Sequence, residues 1–131
     1  MSRPEEARAR AFFDRADADL AAVRALEARS DVPDEILGFH AQQCAEKLLK
    51  AVLAAPGVEF PRTHSLRFLL DLLSDHGLAP PATLHAITEL YPYAVQLRYD
   101  VPLEDEPLDH AAARALLEDL RAWASEQVAA L

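Results

Sequence analysis

The chain has 131 residues, half of them apolar, three glycines and a net charge of −9, which suits a single domain (1–131) with one core; Ala and Leu dominate and β-branched residues are few, favouring an all-helical fold. Such acidity repels phosphate backbones at long range and argues against general nucleic-acid binding. One cysteine, Cys44, excludes an internal disulfide framework and a Cys-cluster metal site, and no apolar run approaches the roughly 18 residues of a membrane span.

The charged start, "MSRPEEARAR", has no signal-peptide core behind it, so a soluble cytoplasmic protein is expected. The first predicted helix runs from about Pro4 to Arg29. Ser2 and Glu5 have capping-box spacing, and Pro4 suits a first turn. Ala9, Phe12, Ala16, Leu20, Val23 and Leu26 recur at helical intervals, with most charges elsewhere. In "RSDVPDE" the helix breaks and restarts. Asp31 can cap, Pro33 fits the first turn, and Asp34 and Glu35 complement the positive end of the helix dipole.

The second helix, about 33–55, sets Leu37, Ala41, Cys44, Ala45, Leu48, Leu49 and Val52 on one broad apolar arc. Cys44 on that arc reads as a small core residue. His40, Gln43, Lys47 and Lys50 line up on the other side. "APGVEFPRT" then stops the helix with two prolines and a glycine. Thr63 or Ser65 can cap a short third helix carrying Leu66, Leu69, Leu70 and Leu73, which stops at Gly77.

A fourth helix starts near Pro81 and carries Leu84, Ile87, Leu90, Ala94 and Val95. Pro92 removes a backbone donor inside this pattern, so a kink or restart is expected there. A proline-bounded acidic segment over 98–109 leads into a fifth helix, about 109–130, with Leu116, Leu117, Leu120, Trp123, Ala124 and Val128. Antiparallel helices on short loops make an up-down four-helix bundle with one additional short helix.

No two of the five histidines stand at i, i+3 or i+4, so there is no helical metal pair. The acids of "DVPLEDEPLD" lack the spacing and turn glycine of a calcium loop, and GxSxG, P-loop and GxGxxG motifs are absent. No metal or cofactor is expected. What remains points to anions and partners. "FPRTHSLR" is a local basic island, with Arg62, His64 and Arg67 opening the third helix where backbone donors suit an anion. The competing reading is that they only decorate and cap that helix. Lys47 and Lys50 can contribute from the second helix. There, Ile36 and Phe39 project beside His40 and Gln43, and apolar groups on a polar face mark a partner surface. A second copy's matching helix could cover it; plain solvation is the alternative. Arg98 and Tyr99 end a helical run just after Tyr91 and Tyr93. They form either a phosphate or carboxylate clamp with a ring beside it, or a helix end closed by the tyrosine with Arg98 pairing a nearby acid.

Taken together, "GFHAQQCAEKLLKAVLAAPGVEFPRTHSLRFLLDLL" and "LRYDVP" resemble the HEPN family of prokaryotic helical domains, over about residues 5–128. The resemblance is to the branch with a glutamine-rich AEK-type second helix, a P-R-T-H-x-L helix start and a terminal R-Y-P-D-like element. Here that element reads Arg98-Tyr99-Asp100-Val101-Pro102, with Asp and Pro displaced. The resemblance implies an up-down helical bundle, usually a homodimer; for this chain the expected dimer forms through helices two and four. It also implies frequent pairing with a minimal nucleotidyltransferase (MNT), in what look like toxin–antitoxin modules.

In the ribonuclease members it implies a metal-independent Arg-x(4–6)-His site, with histidine as general acid and base and arginine on the developing phosphate charge. No histidine in this sequence lies five to seven positions after any arginine. The motif is absent, and the tyrosine that adjoins it in related pairs, adenylylated by the transferase, has no positional counterpart in Tyr99. For this chain the resemblance therefore implies a nucleotide- or partner-binding subunit, with Arg62, His64, Arg98 and Tyr99 at an anion-recognising end and no catalytic residue assigned. One alternative is a ribonuclease using Arg98 with His64 or His40 from separate helices. Another is a structural helical adaptor.

Overall fold

The computed structural model describes residues 3–94 and 107–129. In chain order they form α1 (Pro4–Glu27), α2 (Asp34–Ala54), α3 (Leu66–Asp75), a 3-10 helix η1 (Ala82–Leu90) and α4 (His110–Ala129). No strand occurs among the described residues.

α2 is the hub. Fourteen of its 21 residues are buried, because α1, α3, η1 and α4 all pack on it. The predicted apolar arc from Leu37 to Val52 is wholly inside, where it meets Leu20 and Val23 of α1, Leu66, Leu69 and Leu73 of α3, Ile87 of η1, and Leu117 and Leu120 of α4. Ala9 and Ala16 are fully buried on α1, and their small side chains suit close contact between helices. Leu116, Trp123 and Val128 of α4 pack at the edge of the core rather than inside it.

The order of the cross-helix ion pairs fixes the directions. Asp17 meets Arg121, Arg24 meets Glu118, and Glu27 meets Arg114, so α1 and α4 run antiparallel. Ala9 packs near Ala54 and Ala55, while Asp19 meets His40 and Lys47, so α1 and α2 are antiparallel as well. Asp34 meets His110 at the starts of α2 and α4, and Tyr93, after η1, lies on Gly38. The result is up, down, up, down through α1, α2, η1 and α4, with α3 as the additional short helix. This is the predicted bundle.

Two start signals differ from expectation. Asp31 does not cap α2: Pro33 holds that position, and the Asp31 carboxylate is taken by the Arg29 guanidinium at 2.7 and 2.9 Å. α1 has Pro4 in its first turn behind Arg3, which makes no side-chain cap, and Ser2 lies outside the described residues. The third helix uses both of its candidates. Ser65 Oγ accepts from the Phe68 N–H at 3.1 Å, and Thr63 Oγ1 accepts from the Ser65 N–H at 3.0 Å. Its stop is a left-handed cap: Gly77 has φ +70°, and the Leu78 N–H reaches back to the Leu73 carbonyl at 2.8 Å.

The fourth element is the other difference. Its apolar residues Leu84, Ile87, Leu90 and Tyr93 recur every three positions and all four are buried. That spacing forms one straight stripe at three residues per turn, so a 3-10 helix buries it better than an α-helix. Residues 91–94 are α-helical, so the change of helix type falls next to Pro92, where a kink or restart was expected. Val95 lies outside the described residues.

Candidate functional site

The polar side of α2 is not a solvated stripe. Gln42, Glu46 and Lys50 recur one turn apart and are all buried. Glu46 is their centre. One oxygen accepts from Lys50 Nζ at 3.0 Å, and the other lies 2.8 Å from His64 Nδ1 and 3.3 Å from Gln42 Nε2. Gln42 Nε2 also donates to the His64 carbonyl at 3.0 Å. A buried carboxylate needs such a set of donors, since an uncompensated charge in the interior is costly. The sequence places His64 there through the two prolines and the glycine of the 55–65 loop, which fold the chain back along α2.

A second cluster adjoins the first. Gln43 Nε2 donates to Gln42 Oε1 at 2.8 Å, and Lys47 Nζ donates to Gln43 Oε1 at 2.8 Å and Asp19 Oδ2 at 3.2 Å. The other Asp19 oxygen is 3.0 Å from His40 Nδ1. One hydrogen-bonded network thus runs from α1 across α2 to the start of α3. Beneath it, burial and the charges of Asp19 and Asp17 push the Cys44 thiol up to about 12, so it stays protonated.

At the loop, Phe60 collects cations. The Arg8 guanidinium stands 4.8 Å and Lys50 Nζ 5.9 Å from its ring centre, with the Phe12 ring 5.9 Å away. The His64 side chain is 55 % exposed while its Glu46 partner is 4 % exposed. With the proton on Nδ1, held by Glu46, Nε2 presents a lone pair that can accept a hydrogen bond.

The start of α2 carries two further contacts. The Tyr93 ring occupies the space where a Cβ on residue 38 would stand, so Gly38 is what lets the chain after η1 approach. Burial, then the charges of Asp34 and Glu35, raise the Tyr93 phenol and keep it neutral. One turn earlier, Asp34 accepts from the Leu108 N–H at 2.9 Å and lies 2.7 Å from His110 Nε2. The Leu108 bond, followed by the imidazole, outweighs burial and holds the Asp34 carboxyl below the usual range. The residues flanking 95–106 on both sides are therefore anchored within one turn of α2.

Of the predicted site residues, the structure brings His64 and Lys50 together through Glu46, and His40 and Lys47 together through Asp19, with Gln43 joined to them by Lys47. Arg62 is exposed at the loop. Ile36 is exposed at 37 % near the start of α2, and Phe39 is half-buried with its ring nearly perpendicular to the His40 ring. Arg98 and Tyr99 lie outside the described residues. Gln42, Glu46 and Asp19 were not among the predicted residues; the i, i+4, i+8 spacing of Gln42, Glu46 and Lys50 was the available signal. No cluster of three or more His, Cys, Asp or Glu able to hold a metal occurs among the described residues, and none of their helices is long and apolar enough to cross a membrane.

No curated protein matches the sequence. The crystal structure of an archaeal HEPN homologue is similar, with a TM-score of 0.70 at 27 % sequence identity, over 92 % of this chain and 98 % of that one. Residues 9–127 match the HEPN domain. With an all-helical bundle and a match over most of its length, the chain belongs to the HEPN family.

Proposed function

We propose that this HEPN domain is a cytoplasmic nucleotide- or partner-binding subunit of a HEPN/MNT module of toxin–antitoxin type, acting without the usual ribonuclease motif. It would work as a homodimer and associate with a minimal nucleotidyltransferase. The observation that carries the reading is the Glu46-centred network. In a chain of net charge −9, it presets Lys50 and His64 along one edge, with Arg8 at the neighbouring Phe60 ring and Arg62 exposed on the same loop. Glu46 neutralises the buried Lys50, so the exposed guanidinium groups of Arg8 and Arg62 beside His64 are what favour an anion at that place over general phosphate binding. Equilibrium dialysis of the purified chain against radiolabelled nucleoside monophosphate tests it: retention is expected, and none would remove the nucleotide from the reading. Co-purification with a transferase encoded alongside tests the partner.

One observation favours a second reading. A buried carboxylate orienting an exposed imidazole is the arrangement of a general base. His64, with an arginine from another element, would then serve a metal-independent ribonuclease.

A further inference from the structure

We propose that the groove between α3 and η1 docks a basic segment of a protein partner, with cationic side chains on Asp71 and Glu89 and an apolar one against Tyr91. The proposal rests on the partner-binding reading above and gives that partner a place and a charge. α3 packs on α2 and η1, and its outer side is covered by no helix among the described residues. Two open clefts lie along its seam with η1. One, of about 460 Å³, is lined by Ser65, Arg67, Thr88, Glu89 and Tyr91. The other, of about 260 Å³, shares Arg67 and Thr88 and has Asp71 in its wall. Joined end to end, they suit an extended segment better than an engulfed small molecule.

The charge of the groove decides the occupant. Its carboxylates, Asp71 and Glu89, outnumber its one cation, Arg67, and none of the three forms an ion pair among the described residues. Asp75, one turn beyond Asp71 and also exposed, extends the acidity along α3. Carboxylates left free beside a groove accept Arg or Lys from a partner. Of the three large apolar side chains exposed among the described residues, two belong to this seam: Phe68, next to Arg67 on α3, is 44 % exposed, and Tyr91, just after η1, is 42 % exposed. Aromatic residues are enriched at the cores of interfaces, and a ring near a carboxylate takes the face of a guanidinium.

The same acids exclude the other occupants. A second copy docked through this face doubles the excess of carboxylates. Nucleic acid, an acidic peptide and an anionic membrane surface meet the same repulsion. A basic segment with an apolar anchor is the chemistry that complements both the acids and the rings.

Selection from a phage-displayed library of random dodecapeptides against the full chain, at physiological salt, tests this. The enriched peptides should join Arg or Lys to an apolar residue. Asp71→Arg and Glu89→Arg should each weaken their binding about tenfold or more, the loss expected for a hydrogen bond to a charged group. Tyr91→Ser should weaken it as well, whereas Arg67→Gln, which removes the like charge, should tighten it. Glu126→Arg changes the net charge as much but lies on α4 outside the groove, and should leave binding unchanged. All five residues are exposed, so thermal melts of the variants should match the parent. Binding weakened equally by Glu126→Arg and Glu89→Arg would answer to overall acidity and overturn the groove; so would binding indifferent to every groove variant. Either result leaves the partner reading standing. A selection that enriches no peptide overturns the groove, and the partner reading falls with it only if no transferase co-purifies.

Discussion

Glu46 and His64 form a pair of opposite exposures: a buried carboxylate lies 2.8 Å from the Nδ1 of an imidazole that is more than half open to solvent. The acid is supported from the other side by Lys50 and Gln42. The bond therefore ties the 55–65 loop to α2 and sets which ring nitrogen faces outward.

Breaking that centre should be costly. Glu46→Leu leaves Lys50 buried without its counter-charge, and the expected loss is about 3–5 kcal/mol in urea denaturation. Adding Lys50→Met should restore much of it, because a well-packed apolar pair replaces an unpaired charge. Equal losses in the two backgrounds would show that Glu46 acts through something other than Lys50.

Much of the bundle was legible because burial on α2 follows helical periodicity: Leu37, Ala41, Cys44, Leu48 and Val52 sit where a wheel places them. The polar side was harder. A wheel shows that His40, Gln43, Lys47 and Lys50 share a side, but not that Asp19 of α1 and the 55–65 loop lie over it. Tertiary cover turned that stripe from a free surface into a network and drew in Gln42 and Glu46, which flank the apolar arc. The three-residue spacing of Leu84, Ile87 and Leu90 was visible, but it fits one side of an α-helix nearly as well as a 3-10 helix, and packing decided between them. Arg98 and Tyr99 stood out by residue chemistry and then by family resemblance, and they lie outside the described residues.

Asp34 should make part of the stability depend on pH. Its pKa is lower in the folded chain than in the unfolded one, chiefly through the Leu108 N–H and then His110. Its contribution is thus complete above the unfolded value of roughly 4 and is lost as pH falls through the lower folded value. Asp34→Asn should lower Tm at pH 7, with the gap to the parent closing below about pH 4. A gap that stays constant down to acid pH would mean that the charge is not what holds Leu108 and His110.

Gly38 should resist substitution despite its place in a helix. Gly38→Ala gains roughly 1 kcal/mol of helix propensity, but its Cβ meets the Tyr93 ring and overpacking costs about 1–3 kcal/mol. Net destabilisation is expected. In a Tyr93→Ala background the same change should become neutral or stabilising, and a double-mutant cycle measures the reversal. The same sign in both backgrounds would remove the ring contact as the cause.

Cys44 should be silent in the native state. With the thiol buried and raised to about 12, a thiol reagent at pH 8 finds neither access nor thiolate. Labelling should follow unfolding as urea is raised. Full labelling of the native protein within the mixing time would contradict the packing of the α2 arc.

Binding without cutting is tested most directly by incubating the purified protein at high concentration with total RNA in EDTA, beside Arg98→Ala and His64→Ala variants. Intact RNA in every lane is the predicted result. Cleavage by the parent that vanishes in either variant would contradict it, and would make the chain a metal-independent ribonuclease with its arginine and histidine drawn from separate elements.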